Sequence, residues 1–283
     1  MFYKSQSAGQ QPSVSPQRPS TRKKPFDAPT RRPKEREMIF GLHAVIEALD
    51  AGKTLDKVLV RRDMSSALAK QLTDRLAALG AESATQVQKV PVERLNQFTD
   101  KNHQGVIAFL SPVDFCRVED IVQSVFERGE TPLVMVLDGV TDVRNFGAIA
   151  RTCACVGAHA LVIPSRGSAS VNGDAVKTSA GALHRLPVCK TDNLQDTLRT
   201  LRDSGLAVVA ATEHASQIYT AADMTGPLAI VMGSEEKGIY EPNLRRCTAQ
   251  VRIPMSGAIE SLNVSVAAGV MLYEALRQRT IAK

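Results

Sequence analysis

From Pro132 onward, apolar runs of strand length alternate with helical stretches, and this alternation confines the chain to a layered α/β architecture. Leu133–Asp138, Ala160–Pro164, Ala207–Ala211, Leu228–Met232 and Val251–Pro254 read as strands. Asn145–Val156, Leu194–Ser204 and Asn263–Arg279 read as helices. Strands that are apolar along their whole length, separated by helices, predict a mostly parallel sheet covered on both faces. Residues 132–283 are therefore expected to form one domain.

A smaller α/β unit precedes it over residues 38–112. Gly41–Leu49 reads as an amphipathic helix, Leu55–Val60 as a strand, and Ser65–Leu79 as a helix stopped by Gly80. A short helix over Val92–Phe98 and a buried strand over Gly105–Leu110 complete it. Residues 113–131, with a helix at Val118–Phe126, read as a linker. A chain of 283 residues has room for two such domains.

Charge separates a third region. Residues 1–38 carry nine Lys/Arg against three Asp/Glu, whereas residues 39–283 carry 26 of each sign. Residues 1–37, rich in Pro, Ser and Gln, read as a disordered basic tail suited to a polyanion such as RNA. No apolar run nears the roughly 20 residues that cross a bilayer, and Met1–Ser20 has no signal-peptide core. A cytoplasmic protein with no membrane partner is expected. The five cysteines (116, 153, 155, 189 and 247) are odd in number and irregularly spaced, which favours free thiols. Cys153 and Cys155 read as small buried residues, and no metal site is expected.

Three segments combine glycines with polar residues at the ends of predicted strands, where open α/β sheets bind ligands. They are Asp138–Arg151, Met232–Gly238 and Ile253–Asn263. No G-x-G-x-x-G follows a strand and no P-loop is present, so the two common nucleotide fingerprints are missing. Glu235 and Glu236 make the second segment unfavourable for phosphate and suit a cationic or hydroxyl-rich ligand. The five histidines are scattered, and none sits in a recognisable nucleophile setting. The segments instead offer Asn, Arg, Ser and Glu, groups that catalyse by positioning and electrostatics.

In order and spacing, N-F-G-A-I-A-R-T at Asn145–Thr152, V-M-G-S-E at Val231–Glu235 and I-P-M-S-G-x-x-x-S-L-N-V-S at Ile253–Ser265 resemble the three motifs of the SpoU/TrmH class of RNA ribose 2′-O-methyltransferases. F-G-L-H-A-V at Phe40–Val45 and H-Q-G-V at His103–Val106 resemble the ribosomal-protein-like RNA-binding domain of the branch that modifies a 23S rRNA guanosine. The likeness spans residues 38–280 and leaves out the basic tail. It implies a SPOUT-type, trefoil-knotted catalytic domain, S-adenosylmethionine as cofactor, 23S rRNA as partner and a homodimer. It also implies cofactor contacts at Met232, Gly233, Ile253, Ser261 and Leu262, and catalytic roles for Asn145, Arg151, Glu235, Ser261 and Asn263.

Within that resemblance, Asn145 is expected to orient the ribose, and Glu235, Ser261 and Asn263 to hold the loops. Arg151 is expected to fix an RNA phosphate and stabilise oxyanion charge, because a guanidinium pKa above about 12 makes it a poor base. Asn145 and Arg151 lie about 120° apart on an ideal helix, so their convergence requires Asn145 at the helix N-cap. Glu236, Lys237 and Glu260 depart from the pattern of many relatives, at positions without a catalytic role. A tRNA methyltransferase, a non-catalytic ribosome-assembly factor on the same fold and a generic small-molecule α/β enzyme are the competing readings.

Overall fold

The structure is a computed structural model that describes residues 38–64, 67–78, 85–258 and 261–282. The basic tail over 1–37, the helix boundaries expected at Ser65, Leu79 and Gly80, and Ile259 and Glu260 of the third motif lie outside the described residues.

The first sheet is built from β1 (Met38–Phe40), β2 (Leu55–Arg61), β3 (Gln86–Val90) and β4 (Val106–Leu110), in the order β1-β4-β2-β3. β1 and β2 run antiparallel to β4, and β3 runs parallel to β2. Helices α1 (Leu42–Asp50) and α2 (Ala67–Ala78) cover one face, where Leu42, Val45, Leu49 and Leu72 pack on Val58, Val106 and Ala108. The short α3 (Val92–Asn96) covers the other, placing Leu95 among Leu59, Ile107 and Phe109. The H-Q-G-V run is a structural turn. Gly105 N–H donates to His103 Nδ1 at 3.0 Å, and Gln104 Oε1 accepts from the Leu42 N–H at 3.2 Å, which secures the start of α1.

The second sheet takes β5 (Phe115–Cys116), β6 (Leu133–Asp138), β7 (Ala160–Pro164), β8 (Val188–Thr191), β9 (Ala207–Ala211), β10 (Gln217–Ile218), β11 (Leu228–Gly233) and β12 (Ala249–Arg252). Their order is β10-β12-β9-β11-β6-β7-β8-β5, and every pairing is parallel. Alternate residues of each strand face opposite layers. Met135 and Leu137 meet Phe146 and Ile149 of α5 (Val143–Cys155), a layer completed by α6 (Gly173–Thr178) and by Ala268, Met271 and Leu272 of α9 (Val264–Ile281). Val134 and Val136 face the opposite layer, with Val118 and Val122 of α4 (Val118–Glu127), Leu198 and Leu201 of α7 (Leu194–Asp203), and the short α8 (Glu241–Leu244) beside it.

Three expectations are corrected here. Residues 113–131 are not a linker: β5 pairs with β8, and α4 buries Val118, Val122 and Val125 against the large sheet. A two-residue strand is too short to show as a pattern, and the apolar positions of α4 need a surface to cover. Helix α5 begins two residues before Asn145, with Asp142 as its N-cap accepting from the N–H groups of Arg144 at 2.7 Å and Asn145 at 3.1 Å. Cys153 is buried as expected, but Cys155, two positions on, faces solvent.

Gly147 is where α5 meets α6. A Cβ there would lie 2.7 Å from Thr178 Cβ and 3.0 Å from the Ala175 carbonyl oxygen, so only glycine permits this approach. The far end of α9 is fastened by Arg279, whose guanidinium donates to the carbonyls of Met224, Thr131, Pro132 and Gly226 at 2.7–3.3 Å.

Candidate active site

The carboxyl ends of β9, β11 and β12 carry the loops that shape a cavity of about 540 Å³, within the roughly 300–1,000 Å³ typical of small-molecule sites. Met232, Gly233, Ile253, Ser261 and Leu262 all line it. Met232 is buried at the floor, Ile253 also packs on the core, and Leu262 is 37% exposed at the rim. Sequence reasoning missed Ala211–His214, which line the cavity from the end of β9. The strand-end rule applied to Ala207–Ala211 would have found them.

Gly233 is required by the path of its own loop. A Cβ there would lie 2.1 Å from Gly238 C and 2.3 Å from Ile239 N, so the returning chain, rather than a ligand, demands glycine. Ser234 and Gly238 close this turn with reciprocal backbone hydrogen bonds of 3.1 and 2.9 Å. The turn then projects Glu235, Glu236 and Lys237 along the cavity wall.

At its mouth the three motifs meet on one oxygen. Glu235 Oε1 accepts from Asn145 Nδ2 at 3.0 Å, Asn263 Nδ2 at 2.7 Å and, more weakly, the Val264 N–H at 3.4 Å. Asn263 Nδ2 also reaches Asn145 Oδ1 at 3.1 Å, while its own Oδ1 caps α9 through the Ser265 N–H at 3.0 Å. Asp142, which sets the first turn of α5, has its carboxyl held below the usual aspartate range by the N–H groups of Asn145 and Arg144. Glu235 and Asn263 are exposed and Asn145 is half-buried, so the cluster is open to a reactant.

Ser261 lines the same cavity without joining this cluster. Arg151 stands apart: exposed, six residues along the continuous α5 from Asn145, it makes no hydrogen bond or ion pair among the described residues. The two side chains diverge because Asn145 is the third helical residue rather than the cap.

Among the described residues no group of three His, Cys, Asp or Glu could hold a metal ion, and no helix is long and apolar enough to cross a membrane. Burial pushes the thiols of Cys116, Cys153 and Cys189 up, and that of Cys247 to about 12.

A parallel sheet with a cavity at its carboxyl edge, and amide and carboxylate groups meeting at the mouth, suits an enzyme that works by positioning its reactants. Residues 132–273 match the SpoU rRNA Methylase family, and residues 38–116 match the RNA 2′-O ribose methyltransferase substrate binding family. The chain belongs to the SpoU rRNA methylase family. It is 37% identical over 248 residues to the 23S rRNA (guanosine-2′-O-)-methyltransferase RlmB of Pseudomonas putida, covering 87% of this chain and 98% of that protein. It is 37% identical over 252 residues to an uncharacterized tRNA/rRNA methyltransferase of Mycobacterium sp. (strain KMS), covering 89% and 79%. The AdoMet-bound rRNA methyltransferase from Sinorhizobium meliloti superposes with a TM-score of 0.54 at 27% identity, covering 85% of this chain and 86% of that one.

Proposed function

We propose that this protein transfers the methyl group of S-adenosylmethionine to the 2′-hydroxyl of a guanosine ribose in 23S rRNA, as a cytoplasmic homodimer with a SPOUT-type knotted catalytic domain. The observation that carries the reading is the convergence of Asn145, Glu235 and Asn263 on one carboxylate oxygen at the mouth of the cavity. The choice of 23S rRNA guanosine rests on the relative from Pseudomonas putida, which matches nearly end to end.

The cavity fits the donor. Met232, Ile253 and Leu262 offer apolar surface to an adenine ring, and Glu235 and Glu236 offer negative charge to a sulfonium and an ammonium. When bound, the donor supplies an electrophilic methyl carbon on a positively charged sulfur. Held by Met232, Ile253, Leu262 and the acidic wall, the donor would offer that carbon to ribose O2′, with neutral sulfur as the leaving group and solvent water taking the hydroxyl proton. Asn145, fixed by Glu235 and Asn263, is placed to hydrogen-bond the ribose, and preorganised groups of this kind lower the barrier without rearranging. Arg151 fixes an RNA phosphate and stabilises charge on the attacking oxygen.

Because Arg151 diverges from Asn145 within one chain, we assign it to the mouth of a second copy. Val266 and Tyr273, 52% and 53% exposed on α9, offer apolar side chains to that copy. Mixing two inactive variants tests this. Arg151→Ala and Glu235→Gln proteins, refolded together, regain methylation of 23S rRNA fragments if each site draws on both chains. Arg151→Ala alone loses transfer yet binds the donor as the wild type does. Transfer retained by Arg151→Ala removes it from the site. No transfer by the wild type to any rRNA fragment, alongside transfer to tRNA or none at all, overturns the reading.

A further inference from the structure

Beneath the first sheet lies a polar contact that the methyl-transfer chemistry does not use. Lys190, on β8 of the large sheet, is 3% exposed, and Asp56, on β2 of the small sheet, is 8% exposed. Lys190 Nζ donates to Asp56 Oδ1 at 2.6 Å and approaches the Asp56 carbonyl at 3.3 Å. The other carboxylate oxygen accepts from Ser170 Oγ at 2.6 Å, and the ammonium sits 4.0 Å from the centroid of the Phe115 ring. Ser170 belongs to the loop between β7 and α6 and Phe115 to β5, so the carboxylate of one domain is held by two elements of the other, and a third lies against its counter-ion. Burial lowers the lysine's proton affinity, and only Asp56 opposes this.

The chain route reinforces the contact. Only Ser111–Asp114 separate β4 of the small sheet from β5 of the large one, a reach of at most about 14 Å. The Ser111 N–H donates to the Thr54 carbonyl at 2.9 Å, and the Thr54 hydroxyl donates to Asp114. A short tether on its own permits rotation. A buried ion pair with a fixed hydroxyl donor does not, because turning one domain would strip a charge of its partner in a dry interface.

We propose that Asp56 and Lys190 are positioning residues that hold the 38–110 domain in one orientation on the catalytic sheet, so that RNA gripped by the first is presented to the cavity of the second. The proposal rests on the reading of the protein as an RNA methyltransferase. RNA held by two domains in fixed register binds with less ordering cost than RNA that must first align them.

The test uses the full chain with Asp56→Asn and Lys190→Met together, a pair that removes the charges without leaving either one buried alone. Three quantities are read: amide hydrogen exchange of residues 111–116, the dissociation constant for the donor, and KM and kcat on an rRNA fragment. Exchange of the 111–116 amides rises, KM rises roughly tenfold or more, kcat stays within about twofold, and donor binding is unchanged. Exchange as slow as in the wild type overturns the proposal, as does faster exchange with unchanged KM. Should the wild type bind the fragment without methylating it, the methyl-transfer reading fails, and the same comparison is made on the RNA dissociation constant. A variant that does not fold leaves Ser170→Ala, which takes the hydroxyl donor from Asp56 while keeping the ion pair, for the same three readings.

Discussion

Two polar clusters, one at the cavity mouth and one at the domain junction, are built from similar groups and do opposite things. Glu235 at the mouth takes two side-chain amides on one oxygen while exposed to solvent. Asp56 at the junction takes an ammonium and a hydroxyl while almost wholly buried. In water, hydrogen bonds exchange with solvent at little net gain, so the mouth contributes little to stability and is free to exchange its partners for a substrate. In the dry junction neither charge has an alternative partner, so the same kind of contact becomes rigid.

The sharpest way to break this comparison is to remove one partner at each place. Asp56→Ala leaves the Lys190 ammonium buried without a counter-ion and is expected to cost about 3–5 kcal/mol in urea unfolding. A loss below about 1 kcal/mol shows that water reaches the junction and that the contrast is false. Glu235→Gln is the counterpart: kcat for methyl transfer falls about a hundredfold, while unfolding free energy changes by less than about 1 kcal/mol. A variant that unfolds readily but retains its turnover makes the mouth a structural cluster.

The same contrast explains what the sequence revealed. Strands such as Leu133–Asp138 and Leu228–Gly233 were legible because a parallel strand buried on both faces is apolar at every position. The mouth was legible through its motifs, since Asn145, Glu235 and Asn263 come from three segments that each end a strand or open a helix. β3 (Q-V-Q-K-V) escaped notice because an edge strand carries polar residues, and β5 because two residues make no pattern. Lys190 and Asp56 lie 134 residues apart with no local sign of their pairing. Convergence of Arg151 with Asn145 required Asn145 to be the N-cap, whereas Asp142, an equally good capping residue three positions earlier, opens α5.

That capping aspartate provides the smallest and cleanest measurement. The Asp142 carboxylate accepts from two N–H groups at the start of α5, one of them that of Asn145, so it sets the turn from which Asn145 reaches Glu235. Its pKa is lowered in the folded protein, first by the Asn145 N–H and then by that of Arg144. A carboxylate whose folded pKa is depressed stabilises the fold above its unfolded pKa and loses that contribution as pH falls through the folded value. The cap therefore acts in full at neutral pH and fades only below the ordinary aspartate range. Asp142→Ala is expected to cost about 1 kcal/mol at pH 7, with the difference from the wild type shrinking as urea titrations are carried into that acid range. A cost that persists unchanged in acid means that the carboxylate charge is not what holds the turn. A cost of several kcal/mol means that the mouth, like the junction, is part of the fold's foundation.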